Sequence, residues 1–195
     1  MKKYLAYISC LFLYSFTEIT VEEGAAHMEQ KGNRLTVTAK DKTILSSPHF
    51  SVPEGAVVDY ILPSSQAALM HKVTGNDLSH IGGEIYCNGQ YILVNPQGIT
   101  IGPKGKIDVA SLVLSTLYIP NQDFSSSSWN FSSSPTSGAI VNEGIIHVHP
   151  SGYLCLLANH IENKGTIQAV QTKVHLLSGD KITLDFQGDN LYSLL

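Results

Sequence analysis

The sequence predicts an all-β fold, a parallel β-solenoid with about 20 residues per coil, and three observations lead there. Short apolar runs rich in Val, Ile and Leu alternate with Gly, Pro and Asn turns, and no helical apolar stripe survives those breakers. Asn142-Glu143-Gly144-Ile145-Ile146 is echoed by Asn163-Lys164-Gly165-Thr166-Ile167, 21 positions on. That period is too short for a folding unit but suits one coil of a stack. Charged residues are only 14% of the chain, against about 25% in ordinary globular proteins. With 16 glycines and 43% hydrophobic residues, this composition fits an exported β-protein better than a cytosolic helical enzyme.

At the N-terminus, Met1-Lys2-Lys3 is a short basic run before an apolar stretch over 4–16. That stretch is shorter than the about 20 residues needed to cross a bilayer. With the small residues Gly24-Ala25-Ala26 before His27, it reads as a secretory signal peptide over 1–26, leaving a domain over 27–195. Glu18, Glu22 and Glu23 make its last part long and acidic, and Cys10 leaves lipoprotein processing as a lesser alternative on a poor lipobox. No stable membrane insertion is expected. Residues 35–38 (LTVT), 50–52 (FSV) and 56–62 (AVVDYIL) read as strands, the last two separated by the turn Pro53-Glu54-Gly55.

The stretch 91–116 organises the rest. Tyr91-Ile92-Leu93-Val94 turns at Asn95-Pro96-Gln97-Gly98, runs on through Ile99-Thr100-Ile101, and turns again at Gly102-Pro103-Lys104-Gly105. Pro96 sets φ, Asn95 can bond its own backbone, and Gly98 and Gly105 allow positive φ. Ile107, Val109, Leu112 and Leu114 then continue as short strands, ending at Ser115-Thr116. The segment 125–138 (SSSSWNFSSSPTSG) is a polar insertion, too small-residued to make a strand with its own core. Its aromatics Trp129 and Phe131, with Phe124 before them, are read as pins holding a surface loop to the body, the alternative being an exposed sugar-stacking platform. Residues 112–121 align with 154–163 at an offset of 42, read as two periods, and Leu176-Leu177 with Ile182 echo Leu156-Leu157 with Ile161. Stacking then places Ile over Ile, and Asn142 over Asn163 in a ladder at a corner, beyond the plain turn role of Asn-x-Gly.

Read together, these stretches resemble a known family. Asn95-Pro96-Gln97-Gly98-Ile99 with Ser115-Thr116 is similar to the NPNG-I…ST signature of the secretion domain of filamentous haemagglutinins, the exoproteins of bacterial two-partner secretion. Val73-Thr74-Gly75 with Ile81 and Gly83 resembles that domain's earlier block, although Lys72 replaces its Arg, Leu78 its Pro and Gln97 its second Asn. Phe124 and Phe131, the Asn-x-Gly repeats, and the closing 179–184 (GDKITL) follow in order. The resemblance implies a right-handed parallel β-helix with small added β elements. It implies a secretion-targeting and fold-nucleating domain, recognised by the periplasmic domains of a cognate outer-membrane transporter and then exported to the surface or medium. Asn95, Pro96, Gln97, Gly98, Ile99, Ser115 and Thr116 would form the secretion motif, with Gly75, Asn142, Gly144, Asn163 and Gly165 as turn and ladder positions. In that family the domain nucleates folding of a long adhesin or toxin shaft; the sequence stops at Leu195, about where the domain itself is expected to end, either as a short product or as a fragment of a longer one.

Other functions are weighed against this one. The formal net charge is −4 and Arg34 is the only arginine, so no nucleic-acid partner is expected. Parallel β-helices also carry polysaccharide-cleaving enzymes, but the acids here are scattered, with Asp185 and Asp189 the nearest to a pair. Ser115-Thr116 is tied to no His–Asp pair, so no catalytic residue is assigned and no cofactor is expected. His147 and His149 share a strand face and could begin a zinc site, but zinc wants three or four ligands, so they are read as solvent-facing and no metal is assigned. Cys87 and Cys155 sit among apolar neighbours and are read as small buried hydrophobes, with a disulfide as the alternative. The runner-up function is a self-contained surface adhesin or carbohydrate-binding solenoid, with a host-cell or carbohydrate ligand on the aromatic loop.

Overall fold

A computed structural model describes residues 18–133 and 137–185. In chain order the first strands are β1 (Thr20–Glu23), β2 (Ala26–Lys31), β3 (Arg34–Ala39), β4 (Thr43–Ser47), β5 (Val57–Ile61) and β6 (Ala68–Val73). Next come β7 (Ser79–Ile81), β8 (Glu84–Val94), β9 (Ile99–Ile101) and β10 (Lys106–Ser115), then the short helix α1 (Asn121–Ser125). Then follow β11 (Ser128–Ser132), β12 (Ala139–Asn142), β13 (Ile145–Val148) and β14 (Tyr153–Leu157). The last are β15 (His160–Asn163), β16 (Thr166–Ala169), β17 (Lys173–Leu177) and β18 (Lys181–Asp185).

These strands wind into a parallel solenoid of about six coils with three walls. One wall stacks β3, β5, the first half of β8, the first half of β10, β13 and β16. A second stacks β4, β6, the second halves of β8 and β10, β14 and β17. The third stacks β7, β9, β12 and β15. Because β8 and β10 each run through two walls, those walls join into one twelve-stranded sheet. β1 and β2 cover the first coil by pairing antiparallel with β4 and β3.

Alternation in each strand decides what faces the axis. Leu35, Val58, Ile85, Ile107 and Ile146 stack in register and are fully or nearly fully buried, and the partly buried Ile167 continues the column. Each fully buried aliphatic contributes about 1.5–3 kcal/mol relative to exposure. A second apolar cluster lies outside the second wall, where Ile44, Met70, Ile92, Val113 and Cys155 turn the other way. It is roofed by the insertion: Phe124, Trp129 and Phe131 are all buried there, Trp129 with 1% of its surface exposed. β11 pairs antiparallel with β18, bringing Ile182 and Leu184 into the same cluster.

Several expectations change. The polar insertion does make a strand, because β18 supplies the pairing edge and the second wall supplies the core that its own residues lack. Buried Trp129 cannot serve as an exposed stacking platform. Leu112 pairs directly with Leu154, so the offset of 42 is one coil lengthened by the insertion, not two periods. Leu156 and Leu157 do stack on Leu176 and Leu177, but Ile182 leaves the solenoid to face Phe131. β10 is one strand of 10 residues that turns between walls with no Gly or Pro of its own, opposite the extra residue that β8 carries at Asn88–Gly89. Residues 50–52 give only the single bridge Val52–Ile81. Residues 1–17 of the expected signal peptide, including Cys10, lie outside the described residues, as does Asp189.

Candidate functional site

The turn at Asn95 joins the second wall to the third, between β8 and β9. Asn95 is fully buried, and its side chain is used on every side. Its amide Nδ2 donates to the Asp77 carbonyl at 3.0 Å and to Ser79 Oγ at 2.9 Å. Its Oδ1 accepts from the Gln97 N–H at 2.9 Å, an Asx turn that places Pro96 and Gln97 at the half-exposed tip. Gly98 closes the turn, donating to the Asn95 carbonyl at 3.1 Å with φ at +126°, a region closed to ordinary side chains. Ile99 then enters the core. Gly75 turns the same corner one coil earlier, where a Cβ would lie 2.1 Å from the Pro48 carbonyl oxygen.

The fold brings the two halves of the motif together. The Asn95 N–H donates to the Ser115 carbonyl at 2.9 Å, and the Thr116 N–H to that of Leu157 at 2.9 Å, so successive coils are laced at this corner. Ser115 and Thr116 are fully buried, and Ser115 Oγ both accepts from Leu117 N–H and donates to Leu117 O at 3.0 Å. Neither hydroxyl faces a histidine. Asn142 and Asn163 lie at a different corner, after the third wall. There Asn142 Nδ2 donates to Asn163 Oδ1 at 2.7 Å, and Asn142 Oδ1 accepts from Gly144 N–H at 3.2 Å. Gly144 and Gly165 are required by close approach: a Cβ on Gly144 would sit 2.3 Å from the Gly105 carbonyl, and one on Gly165 2.2 Å from that of Gly144. Gly105, read as a residue that allows positive φ, does not adopt it and is held instead by the same crowding, against the Ile81 carbonyl.

Lys72, the residue standing where the resembled family has Arg, is nearly buried beside the insertion. Its ammonium donates to Asn121 Oδ1 at 2.6 Å, lies 3.9 Å from Glu22 and sits 5.4 Å from the Tyr118 ring centroid. A point charge here replaces the planar fork and ties α1 to β1. Cys87 and Cys155 are both free and buried, and burial pushes each thiol up to about 12.

On the outward face of the first wall, sequence reasoning missed a constellation. Asp108 on β10 pairs in register with His147 on β13, and His149 follows one outward step later. Asp108 Oδ2 lies 3.2 Å from His147 Nδ1, and Oδ1 lies 2.8 Å from His149 Nε2. Lys106 reaches the same carboxylate at 2.9 Å while its ammonium lies 5.1 Å from the Tyr86 ring centroid. Burial draws the Asp108 carboxyl upward, but hydrogen bonds from Lys106, His149 and His147 outweigh it and hold it well below the carboxylate range. An open groove of about 290 Å³ runs alongside, lined by Asp59, Tyr86, Asn88, Asp108 and His149 among others. The i, i+2 histidines were legible; their carboxylate partner was not, since it stands one coil away.

Comparison with known proteins agrees with this geometry. Residues 17–192 match the TPS secretion domain family. The chain is 26% identical over 180 residues to a heme/hemopexin-binding protein of Haemophilus influenzae, covering 88% of this chain and 20% of that protein. A second heme/hemopexin-binding protein from that species is 25% identical over 131 residues, covering 67% of this chain and 14% of it. The chain therefore spans about a fifth or less of these relatives. The crystal structure of the HMW1 secretion domain from Haemophilus influenzae superposes with a TM-score of 0.82 at 29% identity, over 87% of this chain and 46% of that one. With the parallel coils and the family match over nearly the whole length, this chain belongs to the TPS secretion domains, the secretion-targeting domains of two-partner-secretion exoproteins.

Proposed function

We propose that this domain directs its exoprotein to a cognate outer-membrane transporter, whose periplasmic domains recognise it, and that it then templates folding of whatever chain follows, without catalysing a reaction. The observation that carries the reading is the family match over 17–192 on a parallel stack of coils. Templating is supported by the last coil: Val174 and Leu176 on β17 are 44% and 50% exposed, and Val170 70%, so a further coil would bury them. A leader ending before β1 fits this reading better than one ending after residue 26, because β1 is a paired strand of the domain.

Within this function, the corner at Asn95, Pro96, Gln97, Gly98 and Ile99 with Ser115 and Thr116 holds the recognition surface in shape. Asn95 and Ser115 are buried and so act by positioning; the tip at Pro96 and Gln97 is the part a partner can touch. The test replaces Asn95 with Ala in the full chain, measures its melting temperature, and follows export through the cognate transporter. Loss of three hydrogen bonds costs about 1–3 kcal/mol for each group left unpaired. A variant still folded at the export temperature but no longer exported supports the reading. Normal export by a folded variant removes the motif from recognition, and joint loss of folding and export reduces it to scaffold.

A further inference from the structure

We propose that Asp108, His147 and His149 form a binding site for one divalent transition-metal ion of the zinc class, which clamps the fourth coil of the solenoid to the fifth. One ligand atom from each residue lies within 4.8 Å of the others, and side-chain rotation has to draw them in to the edge length of about 3.3 Å that zinc–ligand bonds of about 2.0–2.1 Å set for a tetrahedron. The convergence is built by the fold. Alternation along β10 and β13 sends Ile107, Val109, Ile146 and Val148 inward and leaves Asp108 and His147 outside, in register. His149 is kept on the same face by its N–H, which donates to the Val109 carbonyl at 2.9 Å.

Two imidazoles and one carboxylate make a borderline donor set that suits zinc and its neighbours over calcium or magnesium, which want many oxygens. Three protein ligands leave the fourth position to water, which the groove beside Tyr86 and Asn88 admits. Lys106 contacts the same carboxylate and opposes a cation by its charge, yet it is partly exposed on a flexible stem and can swing away. The position has a structural logic. Coils four and five are joined through the insertion, the longest connection between stacked strands of this wall, so an ion bridging Asp108 to His147 closes the largest loop. Because the ligands converge only when the coils are stacked, binding adds to the stability of the folded chain.

The experiment titrates the untagged full chain with zinc chloride by calorimetry and repeats the melt with and without the ion. Expected are one zinc per chain, a rise in melting temperature, and no competition from excess calcium or magnesium. His147→Ala and His149→Ala remove half-exposed side chains, so they should fold normally without metal, bind zinc about tenfold or more weakly, and lose the thermal shift. His49→Ala, removing the histidine paired with Asp77 elsewhere on the surface, should leave binding unchanged. Lys106→Gln should bind more tightly. Absence of binding by the wild-type chain, undiminished binding by the His147→Ala/His149→Ala double variant, or loss of binding in His49→Ala would overturn the site.

Discussion

His71 lies wholly inside the second wall, with Ser47 Oγ 2.9 Å from Nε2, the Tyr60 hydroxyl 3.1 Å from Nδ1 and the Phe50 ring 4.3 Å from its own. A neutral imidazole donates once and accepts once between two hydroxyls, so either tautomer is satisfied. Burial pulls its pKa down to about 3 from an ordinary value near 6.5. Between those values the unfolded chain takes up a proton that the native chain refuses, so stability falls as pH drops below about 6.5 and the loss levels off near 3. This one residue contributes a slope of about 1.4 kcal/mol per pH unit in that window. In urea titrations, His71→Gln should be less stable at pH 7 but should lose stability less steeply between pH 6 and 4 than the wild type. Parallel pH curves would mean that His71 is not kept neutral. That the site was a hydroxyl-lined box was invisible in the sequence, since Ser47, Tyr60 and His71 come from three different strands.

Among the elements, β11 shows how tertiary context overrides local composition. Its serines give no reason to be a strand, but the antiparallel edge of β18 and the apolar outer face of the second wall capture it. Lys42 completes the seal, donating to the Phe124 carbonyl at 3.0 Å with its ammonium 4.8 and 5.0 Å from the Phe124 and Trp129 rings. Burial lowers the Lys42 pKa, only partly opposed by Asp41. Phe131→Ala should therefore cost about 3–5 kcal/mol. Trp129 is the only tryptophan, so its emission reports this roof alone, and it should shift to the red in the variant as water reaches the indole. An unshifted spectrum would show that β11 is held without Phe131.

At the scale of the molecule, nearly every strand pairs with one from the coil before or after it, so the contacts that hold the fold are distant in sequence. Such topologies fold slowly, over milliseconds to seconds, because loop closure must precede the stacking that rewards it. Circular dichroism of the chain should be strand-dominated, with α1 adding almost no helical signal. A mainly helical spectrum would contradict the solenoid. Adjacent coils cooperate through the glycine corner at Gly144 and Gly165 and through the Asn142–Asn163 ladder, which is why the repeat survives there so plainly.

What the sequence determined by itself was what near neighbours along the chain or exact repetition set. Alternation marked β3, β5 and β9, Asn95 and Gly98 marked a corner, and the spacing from Asn142 to Asn163 gave the coil length, because these depend on neighbours a few residues away or on exact repetition. The tertiary structure alone decided the rest. It made the 42-residue offset a single coil, turned a serine-rich insertion into a roof strand, carried Ile182 out of the stack, and set Asp108 beside His147. Each of these rests on which strand lies against which, and once an insertion breaks the repeat, register across coils is settled by packing and backbone pairing, which leave no periodic trace along the chain.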